Sequence, residues 1–172
     1  RLNVMENETV FLEVNVPTNT WSGTNASLTL ATSSEGFDID YDVLIQLEVL
    51  EVAGWKIDLS NTSLEVPPNG GALELTVQQM GNSPAQPYFL KAGDGWNVSL
   101  PTSGDLIDPG SSGNFNITVY PPSDSVAGEV GVVTIQISNG DGSGQTVEQV
   151  PVRVGSVPGI VIDSKGSWKV RE

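Results

Sequence analysis

Val10-Phe11-Leu12-Glu13-Val14-Asn15-Val16-Pro17 is answered 105 residues further on by Phe115-Asn116-Ile117-Thr118-Val119-Tyr120-Pro121-Pro122. In both stretches apolar residues alternate with polar ones, and proline ends the run. A period of two puts one side of the chain in a core and the other in water, as in a strand of an antiparallel sheet. Proline cannot donate to a ladder, so it closes the strand. The correspondence runs on without a gap from residue 10 to residue 58. Gly23 falls on Gly128, Thr29 on Thr134, Ser33 on Ser138, Val49 on Val154, Val52 on Val157, Gly54 on Gly159, Ile57 on Ile162 and Asp58 on Asp163. Apolar character is kept where identity is not: Leu12 meets Ile117, Leu28 meets Val133, Leu30 meets Ile135 and Leu47 meets Val152. A coincident strand, proline, glycine, strand pattern marks an internal repeat.

A period of about 105 residues is the size of one immunoglobulin-type sandwich, roughly 100 residues. Further strands fit that frame: Trp55, Ile57 and Leu59 alternate with Lys56 and Asp58, and Trp96, Val98 and Leu100 with Asn97 and Ser99. Turns are signalled by Pro67-Pro68-Asn69-Gly70-Gly71, Asp108-Pro109-Gly110 and Asn139-Gly140-Asp141-Gly142. The expected fold class is all-β: tandem immunoglobulin-like β-sandwiches, antiparallel and Greek-key, with no significant helix. Residues 1–52 read as the C-terminal part of one repeat, with strands near 9–16, 26–32 and 41–52. Residues 53–157 read as a complete repeat. Residues 158–172 read as a linker and the first strand of a following repeat, Ser167-Trp168-Lys169-Val170 echoing Ser63-Leu64-Glu65-Val66. Three strands of a sandwich leave an apolar face uncovered. The expected answer is a longer tandem array; the alternative is completion by a neighbouring chain. A start at Arg1 without a leader pattern reads as a processed or excised portion.

Composition agrees. The 172 residues include 22 valines but 7 alanines, with 19 glycines, 11 prolines and 42 Asn, Ser or Thr, a β-rich and turn-rich mixture. At 38% hydrophobic the chain can bury a core. It has no run of 18 apolar residues, so no segment reads as a membrane span. With no histidine and no cysteine there is no Ser-His-Asp triad, thiol nucleophile, disulfide, imidazole ligand or zinc knuckle. A net charge of −14 disfavours nucleic acid and anionic membranes as partners.

The stretch from residue 73 to 154 resembles extracellular Ig-like modules of the cell-adhesion-related (CARDB-like) group and those appended to secreted α-galactosidases. The resemblance lies in Leu75-Thr76-Val77-Gln78-Gln79-Met80-Gly81-Asn82, Gly95-Trp96-Asn97-Val98, Leu106-Ile107-Asp108-Pro109-Gly110, the run Phe115 to Pro122, and Ala127-Gly128. Met80 stands where asparagine or threonine is commoner. The resemblance implies tandem surface modules of archaeal or bacterial proteins and no shared catalytic residues.

Candidate sites are few. Asn7, Asn25, Asn61, Asn97 and Asn116 begin Asn-x-Ser/Thr sequons; about two would arise by chance in such a chain. Asn97 and Asn116 fall on the polar phase of their strands, so they are expected to point outward and to carry N-linked glycans. Glycosylated, cysteine-free, acidic repeats fit an archaeal source. Asp38, Asp40 and Asp42 share one strand face, and adjacent carboxylates with oxygen-only ligands suit calcium; the plain alternative is a solvated acidic face. Asn139 to Gly144 has calcium-loop composition, but Val150 takes the place of the closing glutamate, so a long hairpin turn is expected. Trp55 and Trp96 are expected to fill the core, with a sugar-stacking platform as the alternative. Paired carboxylates are too common here to signal glycosidase chemistry, and Lys56 and Lys91 sit in outward or turn positions unsuited to Ser-Lys catalysis.

The expected protein is therefore not an enzyme. It is a cell-surface or extracellular structural or adhesive protein, N-glycosylated and a candidate part of a surface filament or sheath, requiring no cofactor, whose partners are neighbouring repeats, further copies of itself or other surface proteins. Two alternatives stand beside it: an accessory spacer or carbohydrate-binding module of a secreted hydrolase, and a self-assembling subunit completed by strand exchange.

Overall fold

In a computed structural model, residues 9–33, 40–93, 95–156, 159–162 and 168–171 are described. In chain order the strands are β1 (Asn25–Ser33), β2 (Asp40–Glu48), β3 (Trp55–Leu59), β4 (Leu64–Val66), β5 (Gly71–Gln79), β6 (Tyr88–Gly93), β7 (Asn97–Ser99), β8 (Ser112–Tyr120), β9 (Val130–Ser138), β10 (Thr146–Val154), β11 (Gly159–Ile162) and β12 (Trp168–Arg171). Among the described residues there is no helix. The chain divides into two compact units, Arg1–Leu50 and Glu51–Glu172.

Unit 2 is a sandwich of two four-stranded sheets, ordered β3-β5-β8-β7 and β4-β10-β9-β6. Named by the immunoglobulin convention, these are A-B-E-D facing A′-G-F-C, so the strand order by itself makes the fold Ig-like. The alternation read from the sequence is the alternation of burial. In β5, Leu73, Leu75 and Val77 are buried while Ala72 and Glu74 are exposed. Ile117 and Val119 of β8 face the same interior. Val133, Ile135 and Ile137 of β9 with Val150, Val152 and Val154 of β10 meet them from the other sheet. Trp55, Trp96 and an edge-on pair of Phe89 and Phe115, ring centroids 4.8 Å apart, fill the ends. Apolar burial of this kind stabilises by roughly 1.5–3 kcal/mol per large side chain. Trp96 requires a bare backbone beside it: a Cβ on Gly131 would lie 2.2 Å from its indole nitrogen.

One pairing departs from the antiparallel expectation. The chain leaves the first sheet after β3 and joins the other as β4, which pairs parallel with β10 through Leu64–Val152 and Val66–Val154. The first strand is split along the open edge of the sandwich, so its second half runs beside the last strand in the same direction. Gln79, the buried polar side chain at the end of β5, is satisfied locally. Its carbonyl accepts from Gly81 N–H, and its amide donates to the Ser83 carbonyl at 2.8 Å.

Unit 1 holds the hairpin β1–β2, and its geometry is that of β9–β10 displaced by 105 residues. Asn25 pairs with Glu48 and Val130 with Arg153; Thr32 pairs with Tyr41 and Ile137 with Thr146. The loops entering the two hairpins match bond for bond. Gly23 N–H donates to Val49 O at 2.9 Å, as Gly128 N–H does to Val154 O at 2.8 Å. Val49 N–H donates to Thr24 O as Val154 N–H does to Glu129 O, and Thr24 N–H to Trp21 O as Glu129 N–H to Val126 O. The Thr20 hydroxyl donates to Pro17 O as the Ser125 hydroxyl does to Pro122 O. Gly23 and Gly128 both have positive φ, 74° and 89°, the conformation that a residue without Cβ adopts freely.

Three expectations are corrected. Residues 9–16 form no ladder, although their counterparts in β8 pair with β5 and β7. Among the described residues of unit 1 no strand stands in the place of β5 or β7, so the backbone groups of residues 9–16 have no sheet to join. The strand expected over 41–52 ends at Glu48, one position short of the equivalent of Val154, which stays in β10 by pairing with Val66 of β4; among the described residues of unit 1 no strand takes the place of β4. At the other end, β11 and β12 pair with each other, Gly159 opposite Arg171, whereas β3 and β4 at the equivalent place belong to different sheets.

Candidate functional site

The two outer faces of the unit 2 sandwich differ in chemistry. On the β3-β5-β8-β7 sheet, the outward positions include Lys56, Asp58, Glu74, Thr76, Asn97, Ser99, Asn114, Asn116, Thr118 and the exposed Tyr120. Lys56 Nζ and Asp58 Oδ2 pair at 2.8 Å with both side chains about half exposed, worth little to stability. On the other sheet, Tyr88, Leu90, Val130, Val132 and Val147 are exposed beside Gln149 and Pro151. Its outward charges are Arg153 and Glu65, register partners on β10 and β4. The sequence reading missed this apolar outer face, because Val132 sits in a run with Val133 and reads as core. The signal was the phase set by Val133, Ile135 and Ile137, which sends Val130 and Val132 outward.

The sequons fall on the polar side. Asn97 on the edge strand β7 stands opposite Tyr120, and Asn116 on β8 stands opposite Glu74; both are exposed. Ser99 and Thr118, which complete these two sequons, are direct cross-strand partners. Asn61, exposed where the chain crosses between sheets, and Asn25, exposed at the start of β1 with its amide donating to Gly23 O at 2.9 Å, lie elsewhere. Asn7 lies outside the described residues.

The carboxylate trio is not brought together as a described site. Asp38 lies outside the described residues, Asp40 is placed by its backbone opposite Ser33, and Asp42 is exposed opposite Ala31. Among the described residues no three acidic groups converge in a metal-holding arrangement. The loop joining β9 to β10 is a self-bonded hairpin turn. Asp141 accepts from the Ser143 hydroxyl at 2.7 Å and the Ser143 N–H at 2.8 Å, which together hold its carboxyl below the ordinary range. Asn139 N–H donates to Ser143 O, and Asn139 Oδ1 accepts from the Trp55 indole at 2.8 Å. Lys91 Nζ donates to the Val98 carbonyl.

The sugar-stacking alternative for Trp55 and Trp96 is overturned, since both rings are buried in the core with their faces covered. Unit 1 exposes apolar side chains whose counterparts are buried in unit 2. Leu12, Val14, Leu28 and Leu30 are 50%, 47%, 36% and 40% exposed, where their counterparts Ile117, Val119, Val133 and Ile135 are 1%, 0%, 0% and 0%. Val14, Val16, Pro17, Ala26, Leu47 and Val49 line an apolar groove within this unit.

No family model and no curated protein matches the chain. Among solved structures, similarity is found to a FixG-related protein from Vibrio parahaemolyticus, at 11% identity and a TM-score of 0.45, covering 59% of this chain and 95% of that one. A C. elegans MSP family member, WR4, is similar at 14% identity and a TM-score of 0.38, over 58% and 97%. Domains 1–6 of the surface layer protein SbsC are similar at 16% identity and a TM-score of 0.42, over 86% of this chain and 20% of that one. At these identities and scores the likenesses assign no function. The Ig-like architecture rests on the strand order itself.

Proposed function

We propose that this chain is a stretch of a non-catalytic structural protein of the cell surface, built from Ig-like modules in series. The observation that carries the reading is the bond-for-bond recurrence, 105 residues apart, of the hairpin and its entering loop. A module repeated in geometry while its loops and outer faces vary in sequence is a spacer or wall element, in which each unit contributes length and surface. The composition supports the same role: a chain at −14 with no histidine or cysteine is soluble, repels its like and offers no reactive nucleophile of the thiol or imidazole kind.

The faces divide the labour. The polar face of unit 2 carries Asn97 and Asn116 and takes the glycan coat; the face of β4-β10-β9-β6 carries few charges. The accessory-module alternative would need aromatics aligned on an open face, and the burial of Trp55 and Trp96 removes its main candidates.

Immunogold labelling of intact source cells with antibody against unit 2, before and after permeabilisation, tests the location. Labelling of intact cells is expected; label confined to permeabilised cells overturns the reading. The glycan part is read by intact mass before and after deglycosylation. A mass unchanged by treatment overturns it, and Asn97→Gln and Asn116→Gln should each remove one glycan increment.

A further inference from the structure

Among the described residues of unit 1, the hairpin β1–β2 presents half of a core with no opposing sheet of its own. We propose that this face is closed in cis by a half-repeat patterned like residues 51–113, whose β5-type strand pairs antiparallel with residues 10–16. The inference deepens the array reading and rests on it.

The occupant is specified by the frame. In unit 2, β5 lies against β8 with Leu73 opposite Ile117 and Leu75 opposite Phe115. Carried back 105 residues, the same ladder places apolar residues opposite Leu12 and Val10, and its flanking strands cover the inner face of β1–β2 at Leu28, Leu30, Ile45 and Leu47. These are the positions whose counterparts Val133, Ile135, Val150 and Val152 are fully or almost fully buried. Residues 17–24 and the hairpin already hold the bonds of the completed sandwich, so this half needs a partner and not a rearrangement.

The source is cis for two reasons. Residue 113 directly precedes the counterpart of Thr9, so a half-repeat of this kind ends in sequence where the open half begins. A second copy has no β5 to lend, because β5 is an interior strand held by β3 on one side and β8 on the other. The occupant must also differ from residues 51–113 at one place. Gly131 admits the Trp96 indole, whereas its counterpart in unit 1 is Ala26. The natural cover therefore carries a smaller or differently posed side chain where unit 2 has Trp96.

The test is a chain in which a copy of residues 51–113 replaces residues 1–8, joined directly to Thr9 and combined with Ala26→Gly to seat the grafted tryptophan. Hydrogen exchange is followed at residues 10–16 and in β1 and β2, with the amides of β9 and β10 as an internal measure that unit 2 is folded. Slowing by about 100-fold or more at Leu12 and Val14 is expected, since these amides pass from open to core ladder. A graft carrying Leu73→Asp and Leu75→Asp in the added copy alone should give no such slowing. Unchanged exchange at residues 10–16 with unit 2 intact, or equal slowing by the charged graft, overturns the proposal. So does concentration-dependent protection of residues 10–16 in the ungrafted chain, which would make the cover a second copy. None of these outcomes bears on cell-surface labelling, so the cell-surface reading stands or falls separately.

Discussion

The hairpins β1–β2 and β9–β10 have one register, one entering loop and opposite fates. In unit 2 the inner side chains disappear from solvent; in unit 1 Leu28 and Leu30 stay 36% and 40% exposed and Ile45 and Leu47 are only partly buried. Local hydrogen bonding and turn chemistry are therefore sufficient to shape the hairpin but do not bury it. Burial belongs to the opposing sheet, which only unit 2 possesses among the described residues. An isolated two-stranded hairpin is marginal in water, and three or more strands with a covered face are needed for independent stability.

The largest expected effect separates the two units directly. Ile135→Ala should cost about 2–5 kcal/mol, the range for a large aliphatic removed from a closed core. Leu30→Ala, its counterpart, should change the same unfolding transition by less than about 0.5 kcal/mol. Denaturant unfolding of the full chain reads both, and equal costs would break the contrast.

Next is the backbone site beneath Trp96. Gly131→Ala should destabilise unit 2 by about 1–3 kcal/mol, because the new methyl group meets a buried indole. Ala26→Gly should cost no more than about 1 kcal/mol, the ordinary entropic effect of glycine in a strand. A neutral Gly131→Ala would mean that Trp96 can move aside, and that unit 1 could accept an identical cover.

The entering loops should respond alike locally and differently globally. Gly128→Ala forces a Cβ into positive φ, at about 1–2 kcal/mol, and should lower the melting temperature of unit 2. Gly23→Ala carries the same strain but should appear only as faster exchange at Val49. A shift of the main transition by Gly23→Ala would couple the units more closely than their separate cores imply.

The smallest effect is at Asp141, in the loop joining β9 and β10. Its carboxyl is held below the ordinary value near 3.8, first by the Ser143 hydroxyl and then by the Ser143 N–H. A depressed folded value contributes stability above the unfolded pKa and loses it as pH falls through the folded one. The melting-temperature difference between Asp141→Asn and the unsubstituted protein should therefore be fully present above the ordinary carboxylate range and shrink as the pH falls through the lowered folded value. A difference constant with pH would detach it from ionisation.

Much of this was legible. Trp55 to Leu59, Phe115 to Val119 and the outward phase of Asn97 and Asn116 follow from alternation, because a strand's two faces are written in every second residue. The parallel seat of β4 was not legible, since Leu64-Glu65-Val66 alternates equally well beside any strand. Nor could the sequence show that residues 10–16 lack a ladder, because alternation records the face a strand would bury and not whether a neighbour is there to bond it. The exposed Val130 and Val132 were hidden for a related reason: apolar residue type suggests burial, while register alone assigns the side.

By itself, then, the sequence determined the period, the strand faces, the glycine turns and the absence of thiol and imidazole chemistry, all of which depend on residue type and spacing along the chain. Only the tertiary structure decided which sheet β4 joins, which outer face is polar and which half-core is closed. Those depend on contacts between strands far apart in the chain, and a side chain's burial is a property of what lies across from it.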